Sequence, residues 1–189
     1  MSSFPGSPKF VKAGFVQLDP VTAAVAGVHV FQYNPETLVR RLEGVSSVPP
    51  PPPGVPAAPR ETVTFTLVLD AADKLQAGDP ATLQTGLLPA ISALELLLYP
   101  SGAGLTVWVS GGRRIVPVRI TEMQIVEQAF DPALNPIRAE IAVTLQVLKD
   151  ADLAGNPRGR ALWDAHLATI QQLAKTDVGT LAALGLTGI

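Results

Sequence analysis

The stretch that decides the fold class is Ile137–Val147, IRAEIAVTLQV, in which two kinds of side chain alternate. Every odd position is apolar, and most even positions are polar, beginning with Arg138 and Glu140. Successive side chains of a β-strand point to opposite faces, so this period of two predicts a strand with one buried and one exposed face. Residues 62–69, TVTFTLVL, repeat the pattern with threonines at the first polar positions. The sequence therefore predicts a mainly β, antiparallel domain.

Working outward, four further stretches are predicted to be strands: 10–18, 28–33, 105–109 and 115–127. Turn signals follow two of them, Asp19-Pro20 after the first and Gly111-Gly112 after the third. In 115–127 the apolar side chains change from even to odd positions near Thr121-Glu122. A slip of one residue predicts a β-bulge, which curves the sheet.

Three segments between the strands are predicted to take other conformations. Asn34–Leu38 is predicted to break from the preceding strand into a short helical turn, because Asn34 can cap a turn and Pro35 suits a first helical position. Asp70–Pro80 is polar and is predicted to be a loop. Leu83–Tyr99 has leucines at helical spacing and is predicted to be one central helix.

The strand pattern ends near residue 150, which is the predicted domain boundary. Residues 1–150 form the predicted β-domain, and residues 151–189 form a C-terminal helical extension that is too small to be a domain. Asn156-Pro157 begins its helix, and Asp177 is predicted to cap a last short helix ending at Gly185. The extension is expected to pack on the β-domain or on a neighbouring chain. The expected packing face consists of Trp163, Leu167, Ile170 and Ala174.

A proline-rich loop is predicted at residues 45–60, where Pro49–Pro53 are five consecutive prolines. Proline lacks the N–H that a sheet or helix needs, so this run predicts a polyproline II conformation. It can serve as a ligand for a proline-binding groove or as a stiff surface loop. The second interpretation is favoured, because no basic residue flanks the run closely.

Composition and charge exclude several classes of protein. The 189 residues are 47% hydrophobic and 16% charged, which excludes wholesale disorder. The net charge of −2 gives no electrostatic footprint for nucleic acid. Cysteine is absent, which excludes disulfides and thiolate metal sites, and no apolar run approaches the length needed to span a bilayer. These features predict a protein that is cytoplasmic at synthesis, with no direct membrane insertion, and the low charge favours a surface partly buried by neighbours.

The residues that could carry chemistry do not form a recognisable constellation. The two histidines, His29 and His166, lie far apart in the sequence and outside any familiar metal-ligand spacing. Gly102-Ala103-Gly104 and Gly111-Gly112 have no following lysine and open no helix, so phosphate binding is not predicted. We therefore predict no catalytic residues, no cofactor and no metal, and a protein that is not an enzyme.

Carboxylates leave one enzymatic alternative open, a small hydrolase that uses Asp70 and Asp73 at the end of a strand. The remaining conspicuous residues are expected to be structural. Arginine pairs are interpreted as solvated or inter-subunit ion-pair donors, and the tryptophans as packing anchors. These residues are Arg40-Arg41, Arg113-Arg114, Trp108 and Trp163.

Five short motifs, in order, resemble those of the contractile injection system tube proteins, a family that includes phage tail tube and baseplate hub proteins. Phe31–Leu38, FQYNPETL, resembles a signature near the start of these proteins. The other motifs resemble, in turn, a strand ending in Leu-Asp, a helix stopped by Tyr-Pro, a tryptophan-bearing strand and the turn into a final strand. They are Glu61–Asp70, Ala90–Pro100, Leu105–Trp108 and Phe130–Glu140.

The resemblance covers roughly residues 11–149 and implies an antiparallel two-sheet β-barrel of tail-tube type with a flanking helix. It implies a homo-hexamer whose rings contact neighbouring tube and spike or hub proteins of a phage-tail-like particle. The helical extension replaces the LysM domain that many baseplate members carry, and the proline loop is long, so a baseplate adaptor ring between inner tube and spike is favoured. The alternative within the family is the repeated inner tube subunit.

Overall fold

In the computed structural model, the described residues are 11–44, 59–99, 104–177, 179 and 183. They form seven strands, four α-helices and a 3₁₀ turn at Leu96–Leu98. The strands are β1 (Gly14–Leu18), β2 (Val25–Val30), β3 (Leu38–Glu43), β4 (Arg60–Asp70), β5 (Leu105–Ser110), β6 (Arg114–Phe130) and β7 (Pro136–Val147). The helices are α1 (Ala72–Gln76), α2 (Pro80–Thr85), α3 (Leu88–Glu95) and α4 (Pro157–Ala174).

All seven strands belong to one antiparallel sheet with the order β2-β1-β5-β6-β7-β4-β3. The mainly β, antiparallel prediction is confirmed. The alternating strands are also confirmed, since β7 and β4 bury their apolar positions and face water with their polar ones. The predicted bulge is present, because the register between β6 and β7 shifts between Ile120 and Glu122.

The sheet curls so that its two ends face each other across the core. In a flat sheet, β1 and β4 would be four strand spacings apart, roughly 19 Å. Instead the rings of Phe15 on β1 and Phe65 on β4 lie 6.3 Å apart, and Phe65 also stacks on Trp108 at 5.8 Å. Phe31, just after β2, joins this cluster at 5.1 Å from Phe15. These aromatic side chains fill the concave face and hold the curvature.

Two predicted features between β2 and β4 are wrong. Asn34–Leu38 contains no helical turn: residues 34–37 are irregular, and Leu38 begins β3, a strand that was not predicted. The side chain of Asn34 is already committed to other backbone groups, so it does not cap a turn. The second predicted strand is shifted, since β2 covers Val25–Val30 rather than 28–33.

The helical segment after β4 is also divided differently from the prediction. Asp70–Pro80 contains α1, and the single helix predicted for Leu83–Tyr99 is broken into α2, α3 and the 3₁₀ turn. The break occurs at Gly86, whose φ of 54° is in the left-handed region. The next residue, Leu87, donates its N–H to the Pro136 carbonyl at 2.9 Å. Helix α2 ends at Gly86 because a left-handed residue cannot continue an α-helix. The bond between Leu87 and Pro136 holds this break against the start of β7.

Helix α4 begins after Asn156, whose side chain accepts from the Gly159 N–H at 2.8 Å, as predicted. It packs against β6. The expected packing face is only partly correct: Trp163 is buried, whereas Leu167 and Ile170 are about 40% exposed. The buried residues of the helix are Gly159, Trp163 and His166. The proline run Pro49–Pro53 and the short helix predicted to end at Gly185 lie outside the described residues.

Candidate interaction site

The most unusual surface of the described fold is the outer edge of β2. Val25, Val28 and Val30 on this strand are 58–63% exposed. The strand VAGVHV contains no lysine, arginine, aspartate or glutamate. Natural edge strands are commonly protected by charges, prolines or bulges that prevent pairing with another chain. Strand β2 has a one-residue register shift against β1 at Ala26, but it has no charge or proline, so its outer side is apolar and pairs with no described strand.

The opposite edge strand of the sheet, β3, carries both apolar and charged side chains. Val39 and Leu42 are more than half exposed, and Arg41 and Glu43 form a surface ion pair at 3.1 Å. Arg40 turns toward the core face and donates to Glu61 on β4 at 2.6 Å. Because Glu61 is buried, this pair fixes β3 against β4 and leaves the other edge of β3 open.

A third open edge lies in the middle of the strand order, on the outer half of β6. The first half of β6 pairs with β5 only as far as Val118. Beyond the bulge, Glu122–Phe130 pairs with β7 on one side and with no described strand on the other. We call this segment the distal edge of β6. It carries exposed side chains, including Val126 and Phe130.

The side chain of Gln32 joins the segment after β2 to the end of β4. The Gln32 amide donates to the Asp70 carbonyl at 2.7 Å and accepts from the Asp70 N–H at 2.9 Å. This pair of bonds is what a neighbouring strand residue would form, so Gln32 substitutes for a strand at this point. In the described residues no strand-to-strand ladder closes the sheet, whose edges remain β2 and β3.

A groove of about 850 Å³ opens beside this junction, between residues 33–37 and the outer face of β4. Asn34 fixes its rim: the side chain accepts from the Ala13 N–H at 2.9 Å and donates to the Val11 carbonyl at 3.0 Å. Thr66 and Val68 form part of the wall on β4.

The candidate residues for chemistry are dispersed, and each has a structural environment. His29 lies on β2, and burial lowers its pKa. His166 is buried on α4, and burial again lowers its pKa, with Arg40 and Arg114 acting in the same direction and Glu61 opposing them. The Nδ1 atom of His166 is buried without a hydrogen-bond partner. Both imidazoles are therefore biased toward the neutral form.

The carboxylates suggested for a hydrolase take part in the local backbone structure. Asp70 accepts from the Ala72 N–H at 2.8 Å at the start of α1, and Asp73 lies exposed in the first turn of that helix. Within the described residues, no three histidine or acidic side chains are grouped so that they could hold a metal ion.

The other singled-out residues serve the fold. Trp108 and Trp163 both lie in the core, Trp108 stacked on Phe65. Gly111 and Gly112 form the turn between β5 and β6 with φ values of 63° and 68°. Gly102 and Ala103 lie outside the described residues.

Sequence reasoning missed the residues that build the junction. Gln32 and Asn34 stand inside the motif FQYNPETL, and the motif gave no indication of what their side chains bind. Their partners are 21 to 38 residues away, so no local pattern could reveal them. Hydrophobic periodicity also says nothing about which strands become edges.

Neither a protein-family model nor a curated protein matches this chain. Among the described helices, none combines the length and apolar character needed to cross a bilayer.

Proposed function

We propose that this chain is a structural subunit of a contractile injection particle, forming a hexameric ring at the baseplate that connects the inner tube to the spike. The observation that carries the proposal is the set of three open edges: β2, β3 and the distal edge of β6. Open edges can pair with other chains, and a closed ring of such pairs leaves no edge exposed. A ring of identical subunits would pair these edges with one another.

The proposed subunit is a two-sheet β-barrel of tail-tube type. Its support is the curvature of the sheet, which brings Phe15 and Phe65 to 6.3 Å across the core. The amide of Gln32 further joins the chain after β2 to the end of β4. Within the described residues no strand ladder closes the sheet, and in this proposal neighbouring chains pair with its open edges.

The resemblance to the tube family adds support, because its motif residues hold key positions in the fold. Asn34 anchors the segment between β2 and β3, and Trp108 stacks in the core. In the turn before β7, Asp131 accepts from the N–H groups of Ala133 and Asn135, each at 2.8 Å. The side-chain amide of Asn135, which donates to the other carboxylate oxygen of Asp131 at 2.8 Å, does most to lower the pKa of Asp131, and the two backbone N–H groups act in the same direction. Together these bonds fix the turn.

The proposal is tested by assembly. The purified chain, alone or with its tube partner, is expected to form sixfold rings visible by negative-stain electron microscopy. Val28→Lys places a charge on the edge of β2 and is expected to prevent ring formation while leaving the monomer folded. Val21→Lys is the matched control, because Val21 is 90% exposed in the β1–β2 turn and outside the edge. Chains that remain monomeric with the tube partner, or rings that tolerate Val28→Lys, would contradict the proposal.

The number of copies in an intact particle distinguishes the two positions within the assembly. An adaptor ring at the baseplate requires six copies, whereas the repeated tube subunit requires many multiples of six. We expect six, because a C-terminal extension and a long proline-rich sequence suit a chain that makes unequal contacts above and below its ring. Quantitative mass spectrometry of purified particles makes this count.

A further inference from the structure

The groove beside β4 contains an open position in the hydrogen-bonding ladder of the sheet. Strand β4 extends to Asp70, whereas its neighbour β3 begins at Leu38, opposite Phe65. Beyond Phe65, β4 therefore has no partner strand on this side until Asp70, which bonds to the side chain of Gln32. Between these two points stands Val68, one of the residues that line the groove.

The alternation of the strand decides where the backbone of Val68 points. Asp70 directs both its N–H and its C=O to Gln32, while the next N–H, that of Ala71, bonds to Ile137 at the start of β7. In an antiparallel ladder, residues two apart direct their backbone groups to the same side. The N–H and C=O of Val68 therefore point into the groove, and no residue in the described part of the chain pairs with them on that side.

The groove is held open by its own rim. Residues 33–37 depart from the line of β3, and Asn34 ties this excursion to Val11 and Ala13 with two bonds of 3.0 and 2.9 Å. Pro35 next to it restricts the backbone further. Binding in this groove costs little conformational entropy of the protein, because the rim is already ordered before a ligand binds.

The lining of the groove is acidic as well as apolar. Its lining residues include three acidic ones, Glu36, Asp70 and Glu140, and one basic one, Arg138, which lies 3.6 Å from Glu140. The apolar part of the lining includes Tyr33, Val39 and Val68. Complementary charge selects partners and speeds their association, so this lining favours a cationic ligand.

We propose that the groove binds an extended, basic peptide segment of a partner protein, which adds to β4 at Val68 as a short strand. Its backbone supplies the two hydrogen bonds that the ladder lacks, and its lysine or arginine side chains contact the carboxylates of Glu36 and Asp70. This mode of recognition takes its affinity from the main chain and its selectivity from charge and side-chain pockets. The proposal does not depend on the hexameric ring, since the groove belongs to one chain.

The test uses the full chain and a labelled hexapeptide in which lysine and valine alternate. Fluorescence anisotropy is expected to show saturable binding at low salt, and the same peptide with glutamate in place of lysine is expected to bind at least about tenfold more weakly. Hydrogen exchange of the Val68 amide, followed by NMR, is expected to slow when the lysine peptide is bound. A lysine peptide with N-methylated backbone nitrogens keeps the charge, loses donors and is expected to bind poorly.

Glu36→Lys reverses one exposed charge of the lining and is expected to weaken binding about three- to tenfold. Glu95→Lys is the matched control, because Glu95 is exposed on α3 and does not line the groove. The proposal is overturned if lysine and glutamate peptides bind equally, if Glu36→Lys and Glu95→Lys behave alike, or if millimolar peptide leaves the exchange of the Val68 amide unchanged. Failure of these peptides leaves ring assembly unaffected, so the two proposals fail separately.

Discussion

Replacing Gln32 tests how much one side-chain amide contributes by joining the segment after β2 to the end of β4. Gln32→Ala removes both hydrogen bonds to the backbone of Asp70, which measure 2.7 and 2.9 Å. Each such bond contributes about 1 kcal/mol net, so the expected loss in the free energy of unfolding is about 2 kcal/mol. For a chain of this length, that corresponds to a fall in Tm of about 4–8 °C.

Urea denaturation followed by tryptophan fluorescence measures the loss. Gln32→Met retains the length of the side chain without its polar atoms, so it separates packing from hydrogen bonding and is expected to lose nearly as much as Gln32→Ala. Gln124→Ala is the control, because Gln124 is an exposed glutamine on the distal edge of β6. If Gln32→Met remains within about 0.5 kcal/mol of the parent, a range typical of surface changes, the amide does not join the sheet.

Three further predictions concern strain and protonation. Stability should fall as the pH drops below about 6.5, because burial depresses the pKa values of His166 and His29 and the unfolded chain then binds more protons. In a pH series of denaturation curves, His166→Gln should reduce this slope and leave the contribution of His29; an unchanged slope would contradict the role of His166. Leu134→Asn should raise the free energy of unfolding by about 0.5–1 kcal/mol, since Leu134 is 78% exposed with a φ of 65° that asparagine adopts more readily; an unchanged urea midpoint would refute this. Gly14→Ala should cost about 1–3 kcal/mol in the same assay, because a Cβ would lie 2.6 Å from the His29 carbonyl oxygen, whereas Gly44→Ala meets nothing within 4 Å and serves as the control.

The strands were predictable where one face is buried along the whole length. Strand β7 alternates without interruption because it lies between β6 and β4, with its apolar side chains in the core. The bulge at Ile120–Glu122 was predictable for the same reason, since the chain must shift by one residue to keep its apolar side chains inside. By contrast, neither face of β3 is buried enough to impose an alternating pattern. Its sequence, LVRRLE, is charged and therefore did not indicate a strand.

The helices and the candidate site depended on contacts that a local pattern does not contain. Leu83–Tyr99 has the spacing of one helix, but the contact between Leu87 and Pro136 divides it. On α4, the sequence favours Leu167 and Ile170 as buried residues, but both are partly exposed. The helix instead packs closely at Gly159, where an added Cβ would lie 3.1 Å from the side chain of Leu105 on β5. The groove likewise requires the long-range bonds of Asn34, so its position could not be predicted from composition or spacing.

The link between β2 and β3 limits how far the whole sheet can flatten. These strands are its opposite edges, and in a flat sheet of seven strands they would stand about 29 Å apart. Residues 31–37 join Val30 to Leu38, a path of about 26–29 Å even at full extension, and it bends at Asn34. Flattening the sheet would therefore straighten this link and pull Asn34 from its partners before any strand pair separated. Lengthening the link by a few residues would remove that restraint and leave the aromatic cluster and the Gln32 bonds to maintain the curvature.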